Sequence, residues 1–140
     1  MSRIDFAHGA AHRLRMACRT AARHVRAGHR LIVYCTDARR LHRFDALLWE
    51  FEPASFIPHA LASDPLASLA DVVLAQDTAA LASLAPADWL LNLDLHCPPQ
   101  VERFQRVLEI VSHHEADVQA ARLRWSHYQR AGHELHSHKL

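Results

Sequence analysis

Thirteen histidines, three cysteines and a closely spaced acid–histidine pair are the reactive side chains of this 140-residue chain. His8 and His12 stand four apart, the spacing that puts two metal ligands on one helical face. No acid lies between them as an HExxH pattern requires. His113, His114 and Glu115 are contiguous, and His133, His136 and His138 crowd the tail. These read as surface histidines, so no metal and no other cofactor is expected. Cys18, Cys35 and Cys97 are too far apart for a CxxC site and too few for a disulfide framework. Asp94 and His96 fall at the end of an apolar run, where α/β enzymes place acids and bases. The spacing shows no Ser-His-Asp arrangement. Neither GxGxxG nor GxxxxGK[ST] is present, because glycine occurs only at 9, 28 and 132. A pyrophosphate would therefore lack its usual cradle.

Binding chemistry is better represented. The first helical segment carries Arg13, Arg15, Arg19, Arg23 and Arg26 and no acid. The last four fall on one face, either a solvated face or an electrostatic landing strip for an acidic partner. Near the C-terminus, Val118, Ala121, Trp125 and Tyr128 recur at spacings of 3, 4 and 3. Arg122 and Arg124 flank this stripe. An aromatic stripe edged by guanidiniums suits a peptide with aromatic and acidic groups, while a core stripe with snorkelling arginines is the plainer reading. A third feature is "LLWEFEPASFIPHAL" (47–61). Its aromatics are dense, and Pro53 and Pro58 prevent one regular helix.

The elements that must position these groups alternate. Strands are expected at 3–7, 29–35, 71–75, 88–95 and 106–112, with a short extended piece at Phe56–Ile57. Helices are expected at about 10–27, 38–50 and 113–130, with a short helical segment after "CPPQ" (97–100) and an extended tail. Alternation predicts a single α/β domain over residues 1–140, Rossmann-like, with a mostly parallel sheet flanked by helices. The net charge of +1 argues against general affinity for nucleic acid. "MSRIDFAHGA" has no apolar h-region, so no signal peptide is expected, and reduced cysteines fit a cytoplasmic protein. No apolar run approaches the roughly 20 residues of a membrane helix.

"FDALLWEFEPASFIPHALA" and "ARLRWSHYQRAGHEL" resemble the chi subunit family of bacterial DNA polymerase III. "ACRTAARHVRAGHRLIVYC", "LLNLDL" and "RVLEIVS" fit in order, so the resemblance covers nearly the whole chain. It implies a non-catalytic adaptor of the clamp-loader assembly. Chi pairs with the psi subunit and grips the acidic, aromatic C-terminal tail of the single-stranded-DNA-binding protein (SSB), so DNA is met only indirectly. The resemblance puts psi on Trp49 and Phe56, with Phe51, Pro58 and His59 as neighbours. It puts the SSB tail on Val111, Arg122, Arg124, Trp125 and Tyr128. Val118 and Ser126 stand where members of the family can carry lysine. In some bacteria a repair helicase uses the psi face. The alternative is a small metal- or nucleotide-dependent α/β enzyme built on Asp94, His96 or the His8/His12 pair.

Overall fold

A computed structural model describes residues 1–51, 57–84 and 89–140. Its strands are β1 (Arg3–Ala10), β2 (Leu31–Tyr34), β3 (His59–Leu61), β4 (Val72–Ala75), β5 (Trp89–Asn92), β6 (Arg106–Ser112) and β7 (Glu134–Lys139). The helices are α1 (Arg13–Arg26), α2 (Ala38–Glu50), α3 (Thr78–Ser83) and α4 (Glu115–Arg130). Among the described residues the strands form one sheet in the order β3-β4-β2-β5-β6-β1-β7. Every pairing is parallel, as the alternation of strands and helices implies.

Two apolar layers cover the two faces of the sheet. On one, Leu14, Ala17, Cys18, Ala21 and Ala22 of α1 and Leu41, Phe44 and Leu48 of α2 meet Leu31, Val33, Leu91, Leu108 and Ile110. On the other, Leu81 of α3 and Ala121 and Tyr128 of α4 meet Ile4, Phe6, Ile32, Leu90, Val107 and Val111. Alternate residues of β1 and β6 thus point to opposite layers, the period-2 rule of a strand buried on both sides.

Three details depart from the expected boundaries, and the tail is extended as expected. β1 continues to Ala10 and breaks register with β6 between His8 and Ala10, where Gly9 adopts φ 86°. That left-handed value suits glycine, which lets the strand bulge. α1 therefore begins at Arg13 rather than near 10, and the His12 ring caps it by accepting from the Arg15 N–H at 3.3 Å. α3 was not expected. Asp77 caps it, accepting from the Ala80 N–H at 2.7 Å, and six residues are too few to show a helical period. The polar tail is β7, an edge strand beside β1 whose histidines and lysine keep that edge from further pairing.

Asp5 ties three neighbouring strands. Its carboxylate accepts from Arg106 of β6 at 2.6 Å, from Arg3 at 3.1–3.3 Å, and meets His138 of β7 at 2.8 Å. Burial works to raise its pKa, but the bonds from Arg106, His138 and Arg3 outweigh it and bring the value down from 3.8 to about 2. A depressed carboxylate pKa stabilises the fold above the unfolded value, and that stabilisation is lost as pH falls through the folded one. Asp5 should contribute up to roughly 2 kcal/mol above pH 4. Urea unfolding of Asp5→Asn against the native chain should show that deficit at pH 6. The gap should narrow between pH 4 and 2.

Candidate functional site

α4 starts where β6 ends. Ser112 Oγ donates to the Asp117 carboxylate at 2.5 Å and accepts from the His114 N–H at 3.3 Å, which fixes the angle of entry. Acids at Glu115 and Asp117 in the first turn and cations at His127 and Arg130 in the last suit the helix dipole. Ala121, Arg124 and Tyr128 are its buried positions. Trp125 is half-buried, its ring 5.2 Å from that of Phe6.

Arg124 is turned into the protein. It is 3 % exposed, and its Nε donates to Glu109 at 3.0 Å while a second nitrogen donates to the Leu95 carbonyl at 3.0 Å. Tyr128 lies beside it, its hydroxyl 2.6 Å from the same carboxylate. Burial and the nearby Glu109 charge hold the Tyr128 proton well above its ordinary range. Two residues along a helix turn about 200°, so Arg122 and Arg124 point to opposite sides. The signal for this was in β6. An acid inside the apolar run "RVLEIVS" needs buried donors, and the neighbouring helix supplies two of them.

Arg122 faces outward, exposed and without a hydrogen bond or ion pair to any described residue. It stands at the mouth of a cleft of about 480 Å³ between α4 and the ends of β1 and β6. Val111, Val118, Ala121, Trp125 and Phe6 form the apolar interior, and His8, Ser112, His113 and Ser137 the polar rim. The structure thus brings Val111, Arg122 and Trp125 together and sets Arg124 and Tyr128 behind them. Phe6 and the rim were missed. Alternation along a strand would put Phe6 on one face with Ile4, but the strand order that carries it under Trp125 is not a local property.

A second surface lies at the end of α2. Trp49 is 54 % exposed, and its ring is 4.4 Å from that of His59. The His59 side chain is only 1 % exposed and sits 3.1 Å from Asp45, off the line of a hydrogen bond, while its Nδ1 meets the Ile57 carbonyl at 2.8 Å. It therefore props Trp49 from below instead of facing solvent. Phe51 packs against the α1–α2 core. The Pro58 carbonyl accepts from the N–H groups of Asp71 and Val72. Phe56 lies outside the described residues.

Of the groups weighed for catalysis, His96 is exposed, while Asp94 and His12 have structural partners. Asp94 accepts from the Thr36 N–H at 2.8 Å and its hydroxyl at 2.9 Å, fastening the β2 and β5 ends together. His12 is a helix cap and His8 belongs to the cleft rim. Burial pushes the Cys18 thiol up to about 12 and the Cys97 thiol up to about 11, away from the reactive thiolate. Arg13 does not join the exposed arginine row. Its guanidinium is buried and donates to the carbonyls of Ile110, Leu93 and Asp94. Among the described residues no three His, Cys, Asp or Glu side chains are grouped to hold a metal. No helix there is long and apolar enough to cross a membrane.

Residues 1–136 match the family model described as DNA polymerase III chi subunit, HolC. A DNA polymerase III subunit chi from Pseudomonas aeruginosa is 34 % identical over 148 residues, covering 100 % of this chain and 98 % of that protein. Its counterpart in Escherichia coli is 30 % identical over 87 % of this chain and 82 % of its own length. That of Haemophilus influenzae is 25 % identical over 86 % and 82 %.

The two neighbouring arginines should separate cleanly by stability. Arg124→Ala leaves the Glu109 charge buried without its ion partner and should cost about 3–5 kcal/mol. Arg122→Ala should stay within about 0.5 kcal/mol, as for an exposed substitution. Chemical denaturation of the two variants measures both.

Proposed function

The chain belongs to the DNA polymerase III chi subunit family, replication accessory subunits, and from that premise we propose that it is a non-catalytic adaptor linking SSB to the clamp loader. The observation that carries this is the cleft beside α4, apolar inside and marked at its mouth by a guanidinium with no partner among the described residues. A peptide with both acidic and aromatic groups needs these features. Trp125, Phe6 and Val111 supply apolar contact, and Arg122 supplies a forked donor for carboxylates. Val118 contributes only apolar surface to this wall, so the acidic contact rests mainly on Arg122. The exposed Trp49 at the end of α2, propped by His59, supports a second face for the psi subunit. A repair helicase is the further partner that the family resemblance suggests for that face. Against the competing enzymatic reading, the Asp94 carboxylate already accepts two bonds from Thr36.

Calorimetric titration with an SSB C-terminal peptide tests the first face. A charge-assisted bond contributes about 1.5–3 kcal/mol, so Arg122→Ala should weaken the peptide by roughly tenfold or more. Arg122→Lys should recover part of this, since lysine keeps the charge and loses the planar fork. Added salt should weaken native binding without abolishing it, because the apolar contact is not screened. Equal peptide binding by Arg122→Ala and the native chain at low salt would move the site elsewhere.

The psi face has its own test. Trp49→Ala should lower psi affinity by about 2 kcal/mol or more, as for an aromatic anchor. Psi retained undiminished by immobilised Trp49→Ala protein would remove the assignment.

A further inference from the structure

The outer face of α1 has no place in the adaptor reading. Arg15, Arg19, Arg23 and Arg26 are all exposed on this 14-residue helix, and the helix contains no acid. At 3.6 residues per turn they fall within about a quarter of its circumference, and at 1.5 Å per residue they run for roughly 16 Å. Arg15, Arg19 and Arg23 have no side-chain hydrogen bond or ion pair to a described residue. Arg39 and Arg43 of α2, in the same layer, are exposed as well. With Arg13 and Arg40, α1 and α2 hold eight of the chain's 16 lysines and arginines, although its net charge is only +1. The acids in these two helices are Asp45, beneath His59, and Glu50, at the α2 end.

The row runs into a cleft of about 270 Å³ on the same side of the sheet. Arg23, His24, Thr20, Arg106 and His138 line it. Asp5, also at this cleft, is already bonded to Arg3 and Arg106 and meets His138. Glu109 also lines the cleft and is held by Arg124, so each of these two carboxylates is already matched by a guanidinium. His24 sits among the cations, its pKa brought down to about 4 by burial, by Arg23 and by Arg106. An anionic group here would meet Arg23, which has no side-chain hydrogen bond or ion pair to a described residue.

We propose that the outer face of α1, together with the cleft at its Arg23 end, is a docking surface for the phosphodiester backbone of a single nucleic-acid strand. The arginine fork suits phosphate and carboxylate alike, and two features of these arginines favour the phosphate backbone over an acidic protein. Their spacing of one helical turn, about 6 Å, is close to that of successive phosphates on an extended strand. The surface is a row rather than a pocket for one carboxylate. A single row also engages one backbone, whereas a duplex presents two across a groove. The surface lies on the opposite side of the sheet from the α4 cleft, so the two ligands do not compete.

Fluorescence anisotropy of the full chain with labelled oligothymidylate tests this. Binding should appear at low ionic strength. Three phosphate contacts give a slope of log K against log salt of roughly −2, at about −0.7 per contact for single strands. The double variant Arg19→Glu/Arg23→Glu should bind at least tenfold more weakly, with a shallower slope. Arg19→Gln/Arg23→Gln should fall between, and both should keep the native circular dichroism melt and native SSB-peptide affinity. An oligouridylate of equal length should bind similarly, since backbone charge is the common feature. Absence of native binding at low salt, or equal binding by the glutamate variant, overturns the proposal. Displacement of the strand by polyglutamate as effectively as by unlabelled oligothymidylate overturns it in favour of an acidic protein. A duplex that outcompetes the single strand overturns the choice of strand.

Discussion

The carboxylate of Glu109 sits in the middle of β6 with no exposure to solvent, and the α4 side of the molecule is organised around it. It accepts from Arg124 and Tyr128 on α4 and from Asn92 on β5. Removing a carboxylate from water costs several kcal/mol, and only such a full set of donors offsets it. The arrangement is a weak source of net stability and a strong source of geometry. A shifted or rotated α4 would leave the acid with fewer donors. Arg124 also reaches the Leu95 carbonyl, and the Asn92 amide reaches that of His96, so the segment after β5 is held by the same network. With Arg124 locked inward, Arg122 must point outward and Trp125 must lie over Phe6. The cleft owes its shape to a charge that never touches it.

A second set of guanidiniums performs the complementary task on the other layer. Arg13 donates to the Ile110, Leu93 and Asp94 carbonyls, and Arg40 donates to that of Leu93. Backbone acceptors just past β5 lie beyond its ladder and would otherwise be buried without donors. Arginine fits because its five donors lie in a fixed plane and serve several carbonyls from one position. The chain's arginines therefore do two unlike things. Arg13, Arg40 and Arg124 close buried networks, while Arg15, Arg19, Arg23 and Arg122 project outward.

The parallel sheet was legible because "LIVY", "VVLA" and "WLLN" are apolar on both faces, the mark of strands covered by helices on either side. The apolar stripes of α1 and α2 were legible for the same periodic reason. What failed was whatever depends on a partner distant in sequence. Arg122 and Arg124 are the same residue type two positions apart, and only Glu109, fifteen residues from Arg124, decides which one is buried. His59 reads as a surface contact because the family resemblance sets it beside Trp49 and Phe56. The Asp45 and Trp49 side chains that enclose it come from another element. The α1 row was legible from helical spacing and not from the net charge of +1, because an average over the chain carries no information about which faces its charges share.

The openness of the α4 cleft follows from small residues facing large ones. Ala121 is the buried position of α4 nearest Val111, and Val118 lies one turn earlier, so the helix leaves space above β6 that a leucine at either site would take up. Trp125 closes one end by leaning on Phe6, and the Gly9 bulge bends β1 at the other. A cavity of this size lined by apolar side chains persists only if its walls cannot collapse inward. Here the β6 wall belongs to a fully paired parallel strand, and the α4 wall is held off by the bonds of Arg124 and Tyr128 to Glu109. The space is thus maintained by polar contacts behind it. A ligand entering it replaces water against preformed apolar walls without first having to move the helix.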